Sequence, residues 1–192
     1  MSGVSNIFQG AIEAGVTTTR SLTALEAKLA RAAEAIEKCL TTDHKLLVCG
    51  NGGSAADGAD FSAEFTCRFL HDRRPYPALN LAQGGSLTTA IGNDYGFDEV
   101  FARQVAGFGQ PGDVLVAITT SGNSRNILRA IEEAKTRGLT SVALLGRDGG
   151  STKGMANVEL IVPGDSTARI QEAHKFLLHV LCEIVDARLP RV

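Results

Sequence analysis

The sequence predicts an α/β sandwich in which a parallel sheet of about five strands carries helices on both faces. Three observations predict it. Five short apolar runs recur, at 45–49, 78–81, 113–119, 141–146 and 158–163. They are continuous rather than alternating, as strands buried on both faces are. Helical stretches separate them, so right-handed crossovers would wind the chain to and fro across one sheet.

Taken in order, the region from about Ile7 to Leu40 is helical. "LTALEAKLARAAEAIEKCL" is rich in Ala, Leu, Glu and Lys, and Leu22, Leu25, Leu29, Ala32, Ala33 and Ile36 keep helical spacing. Ser21 stands where an N-cap would. No strand precedes this segment, so residues 1–40 are expected to pack on the outside of the sheet or to form an oligomer interface, with residues 41–192 as the domain proper. "KLLVC" then runs into "GNGGSA" and a helix. "ALNL" follows "RRPYP", "DVLVAIT" follows "GQPG", "SVALLG" follows "RGLT", and "VELIVP" precedes "GDS". The clearest intervening helix is "SRNILRAIEEAKTRG", 124–138, and the last runs from about 167 to 187.

Composition narrows the function. The 192 residues are 44% hydrophobic and 21% charged, with a net charge of −2, which gives no global attraction to nucleic acid or an anionic membrane. The aromatic residues do not interleave with basic runs. "MSGVSNIFQGAIEAG" lacks the basic start and apolar core of a signal peptide, and no apolar run is long enough to cross a bilayer. Cys39, Cys49, Cys67 and Cys182 form no C-x-x-C pair, and read as reduced thiols of a cytoplasmic protein.

In a doubly wound sheet, ligands bind beyond the carboxyl ends of the strands. "GNGGSA" fits a dinucleotide fingerprint formally, but the second strand closes on "NLAQGG" without the acid that would hold a ribose. No Gly-Lys-Ser/Thr follows either, so a P-loop is excluded. A second loop, "TTSGNSRN", gathers Thr119, Thr120, Ser121, Asn123 and Ser124 around one glycine at a helix start, more hydroxyl and amide groups than a cap needs. Two such loops at adjacent strand ends suggest a monophosphate pocket. Asp57, Asp60 and Glu64 share a helical face behind the first loop, with Arg68 four residues on, an arrangement that would ordinarily be a solvated stripe with one ion pair.

"CGNGGSAAD", "AIGNDYGFDEVFARQV", "GDVLVAITTSGNS", "GRDGG" and "ARIQEAHKFLLHVLCEIVD" together resemble the sugar isomerase (SIS) domain family, and within it the phosphoheptose isomerases. The resemblance runs from about residue 45 to the end in the same order. It implies a three-layer αβα, flavodoxin-like sandwich, a homotetramer, and an aldose–ketose isomerase that turns D-sedoheptulose 7-phosphate into D-glycero-D-manno-heptose 7-phosphate, a precursor of nucleotide-activated heptoses. It implies Glu64 and His179 as the acid/base pair, and one Zn²⁺ per subunit on Asp60, Glu64, Gln171 and His179. Asn51, Gly52, Gly53, Ser54, Asn93, Asp94, Thr119, Thr120, Ser121, Ser124 and Gln171 are the implied substrate contacts. Two positions depart from the family: Asp60 stands where a metal-binding histidine is expected, and Gly84 where an aspartate is common. His174 and His179 lie about 140° apart on a helix, so the resemblance selects His179 and leaves His174 structural. Two alternatives accompany this reading. One is a non-catalytic member that senses sugar phosphates or associates with a replication initiator; relatives of that kind lose the Glu and His kept here. The other is an isomerase for another phosphosugar, such as arabinose 5-phosphate.

Overall fold

The computed structural model describes residues 2–191. Helices α1 (Ser2–Ser21) and α2 (Glu26–Thr41) lead into strand β1 (Leu46–Gly50) and helix α3 (Gly53–Thr66). Strand β2 (Ala78–Asn80), helices α4 (Gly85–Tyr95) and α5 (Ala102–Phe108), strand β3 (Val114–Thr119) and helix α6 (Arg125–Thr136) follow. Strands β4 (Thr140–Gly146) and β5 (Val158–Val162) precede the last helix, α7 (Thr167–Asp186). The five strands form one sheet in the order β2-β1-β3-β4-β5, every pair parallel. This is the predicted doubly wound sandwich, and the strand limits agree with the sequence reading to within a residue or so.

Alternation along the buried strands divides the core in two. Leu46, Val48, Val116, Ile118, Leu144 and Leu160 face α2, α3 and α7. Leu47, Cys49, Leu115, Ala117, Ala143 and Leu145 face α4, α5 and α6. Ala32, Ala33, Ile36 and Leu40 of α2 are fully buried in the first of these cores, so α2 is a layer of the sandwich. α1 lies outside it against α7 and leaves Val4, Ile7, Phe8, Ile12 and Val16 exposed.

Two local expectations change. The long N-terminal helix is interrupted at Leu22–Leu25 by a 3₁₀ turn whose two leucines are buried. Ser21 is not an N-cap there: its backbone is helical, and its hydroxyl donates back to Thr18 O at 2.7 Å. α3 ends at Thr66, so Arg68 lies beyond the helix and bonds to Phe69 O instead of pairing with Glu64. The end of α3 is closed by Arg73, which is 5% exposed. Its guanidinium donates to Glu64 O at 2.6 Å and Phe65 O at 3.0 Å and pairs with the buried Asp186 of α7 at 2.9 Å. The last-turn carbonyls of α3 and the start of "RRPYP" are thereby fixed to α7.

Candidate active site

The two loops at the carboxyl ends of β1 and β3 are joined by a reciprocal amide pair. Asn51 Nδ2 donates to Asn126 Oδ1 and Asn126 Nδ2 to Asn51 Oδ1, both at 2.9 Å. No side chain caps the helix on either loop, because Gly52 and Ser124 at the two N-caps accept no such bond. Two helix starts with open N–H groups therefore sit side by side, an arrangement that attracts an anion.

Each loop is braced from behind. Thr119 is buried, and its hydroxyl bonds those of Ser121 at 3.4 Å and Ser124 at 3.1 Å, so it orients the two serines. Gly122 has φ +67°, and a Cβ there would overlap the Gly149 carbonyl. The Gly122 carbonyl accepts from Thr152 Oγ1 at 2.7 Å, and Asn123 Oδ1 accepts from Ser151 N at 2.9 Å, so the Gly150–Thr152 turn that closes "GRDGG" props this loop. Thr120 is half-buried on the same turn. In the first loop Ser54 is buried, and Gly53 lies against the Gln171 carboxamide, which a side chain there would have to displace.

That contact begins a second array. α3 and α7 both leave the carboxyl edge of the sheet on the same face, so they run parallel. Gln171, Lys175 and His179 follow one another by a turn on α7, as do Asp60 and Glu64 on α3. Gln171 Nε2 donates to Asp57 Oδ2 at 3.2 Å. One turn on, Lys175 Nζ pairs with Asp60 and lies 3.7 Å from Asp57 Oδ1. One turn further are Glu64 and His179, both half-buried. The His179 ring stacks at 6.3 Å on Phe69. Neither the Glu64 carboxylate nor the His179 imidazole hydrogen-bonds another described residue.

Asn93 and Asp94 lie apart from these arrays. Both are exposed on α4, across the sheet from α3 and α7, with Asn93 Nδ2 donating to Asp94 Oδ1 at 2.8 Å. Gly84 precedes α4. His174 is fully buried and donates Nε2–H to Leu145 O at 3.1 Å, a tautomer assigned from that bond, while Nδ1 has no partner. Burial holds its pKa down at about 4. Burial likewise raises the thiol of Cys39 to about 12 and those of Cys49 and Cys182 upward, so these three are inert.

The implied zinc ligands, Asp60, Glu64, Gln171 and His179, all lie along the groove between α3 and α7. Among the described residues no three His, Cys, Asp or Glu side chains gather as a metal site. The Asp60 carboxylate is engaged by Lys175, and the Gln171 amide by Asp57. An ammonium in the middle of the proposed ligands opposes a dication at close range. So arranged, these residues do not fit a divalent metal.

Sequence reasoning passed over Lys175, Asn126 and Arg73. Lys175 had a legible signal, since it falls one turn after Gln171 and one before His179. Asn126 and Arg73 had none, because their partners are 75 and 113 residues away.

Comparison with known proteins supplies the family. A family model for the SIS domain matches residues 12–146. The phosphoheptose isomerase of Coxiella burnetii (strain RSA 331 / Henzerling II) is 49% identical over 176 residues, 90% of this chain and 88% of that one. The solved phosphoheptose isomerase GmhA from Neisseria gonorrhoeae superposes with a TM-score of 0.89 at 41% identity, covering 96% of this chain and 99% of that one. The phosphoheptose isomerase from Francisella tularensis gives 0.88 at 41% identity, covering 97% of each chain.

Proposed function

We propose, from the premise that this chain belongs to the SIS domain family and within it to the phosphoheptose isomerases, that it interconverts D-sedoheptulose 7-phosphate and D-glycero-D-manno-heptose 7-phosphate. The observation that carries the mechanism is that the side chains of Glu64 and His179, on one level of two parallel helices, have no hydrogen-bond partner among the described residues. Two groups that exchange protons with a ligand need unused valences of this kind.

The reaction moves a carbonyl from C2 to C1 with no net gain or loss of atoms. Glu64 takes a proton from C1 while His179 gives one to the C2 oxygen, which leaves an enediol. The O1 proton is then withdrawn as C2 receives one, and the aldose forms. The phosphate is held by the N–H groups at the starts of α3 and α6 and by the hydroxyls of Ser54, Thr120, Ser121 and Ser124, with Thr119 and the Asn51–Asn126 pair fixing their positions. The half-buried positions of Glu64 and His179 remove much of the water that would compete for the enediol's protons.

The exposed stripe of α1 supports a homo-oligomer that covers Val4, Ile7, Phe8, Ile12 and Val16. Light scattering on the pure protein should give a mass several times 20.2 kDa. Three buried free thiols suit a reducing, cytoplasmic setting, and cell fractionation is the check. No helix among the described residues is long and apolar enough to cross a membrane.

The direct test is incubation of the pure protein with sedoheptulose 7-phosphate, following the aldehyde carbon by NMR. The aldose should accumulate to an equilibrium mixture. Folded protein that leaves the ketose unchanged would overturn the reading.

A further inference from the structure

The positive charge of this site is a side chain. We propose that Lys175 is the fixed cation of the reaction, held on Asp57 and Asp60, and that isomerisation by this chain needs no divalent metal. The inference rests on the isomerase reading above and names the group that answers its electrostatic demand. Moving a carbonyl through an enediol builds negative charge on two neighbouring oxygens, and a nearby cation is what stabilises it.

Four observations place Lys175 in that role. It lies midway along the polar face of α7, one turn from Gln171 and one from His179. Its ammonium pairs with Asp60 and lies 3.7 Å from Asp57 Oδ1, so two carboxylates on the facing helix hold it across the groove. An ammonium has three donors, and the bond to Asp60 leaves two for ligand oxygens. The side chain is 28% exposed and, with Asp57, Ala168, Gln171 and Glu172, lines an open cleft, so a ligand can reach it. Asp60 also acquires a purpose in this arrangement. A neutral imidazole there would leave Lys175 with Asp57 alone, whereas a carboxylate anchors it. The ammonium and a dication would compete for the same carboxylates, so one excludes the other.

The test is made on the full-length protein. Elemental analysis of enzyme purified without chelator should find no stoichiometric zinc, manganese, iron, cobalt or nickel, and turnover should survive dialysis against EDTA. Lys175→Met should lower kcat by about 10²–10³-fold with a smaller change in KM, and Lys175→Arg, which keeps the charge, should recover part of that loss. One metal ion per chain with chelator-sensitive turnover would overturn the proposal, and so would a Lys175→Met enzyme as fast as wild type. Should that variant fail to fold, the wild-type metal content and EDTA response decide alone. Zinc titration by calorimetry needs no turnover and separates this proposal from the isomerase reading. Absence of zinc uptake supports Lys175 as the cation even if sedoheptulose 7-phosphate is not the substrate, and uptake of one zinc per chain refutes it.

Discussion

The loops and the α3–α7 groove are built on opposite rules. In the loops most polar side chains have a partner: Asn51 with Asn126, Thr119 with Ser121 and Ser124, Asn123 with Ser151. What stays open there is backbone N–H at two helix starts and the small hydroxyls of Ser54 and Thr120. In the groove the backbone is saturated by helix, and it is the side chains of Glu64 and His179 that remain unspent. A binding surface works by being rigid before its ligand arrives, so its side chains hold one another. A proton-transfer surface needs groups whose bonding changes during the reaction, so theirs must not already be committed.

Substitutions should respect this division. Glu64→Gln keeps shape and removes the base, so kcat should fall by about 10³–10⁴-fold with KM little changed, as steady-state kinetics would record. A large rise in KM instead would break the distinction. Arg73→Met should cost about 3–5 kcal/mol of stability in urea denaturation, because Asp186 is left buried and uncompensated. Any loss of turnover beyond the unfolded fraction would show that the end of α3 must be held for Glu64 to act.

The buried His174 gives a pH signature. Its pKa is lowered to about 4 in the fold from an ordinary 6.5, so the unfolded chain takes up a proton that the native protein refuses. Stability is complete above about pH 6.5 and declines as pH falls towards 4, by about 3 kcal/mol if this group acts alone. Urea midpoints at pH 7 and pH 5 should show the decline, and His174→Gln should flatten it. The smallest effect expected is from Asn126→Ala. Severing the bridge between the loops should raise KM by roughly tenfold, the loss of about 1–1.5 kcal/mol of hydrogen bonding, with kcat spared.

Local pattern made the architecture legible. Continuous apolar runs such as "DVLVAIT" leave few alternatives to a buried parallel strand, and β3 indeed occupies Val114–Thr119. The loops were legible too, because a cluster of hydroxyls around a glycine is visible in the one-dimensional string. The groove was less so. That Asp60 meets Lys175 depends on α3 and α7 being neighbours, which strand order decides and periodicity does not. The expected Glu64–Arg68 pair failed for a related reason: the buried pairing of Arg73 with Asp186 ends α3 at Thr66, before Arg68 could join its helical face.

The parallel course of α3 and α7 makes the groove a graduated scale. Its zero is where Gly53 meets Gln171, and each helical turn adds a mark about 5.4 Å further on. A ligand anchored at zero therefore has its far carbons read at fixed marks. A single residue inserted in α7 between Lys175 and His179 would turn every later side chain by about 100° and advance it by 1.5 Å. Such a chain would lose the far marks and, with them, the core packing of Leu181, Cys182 and Val185.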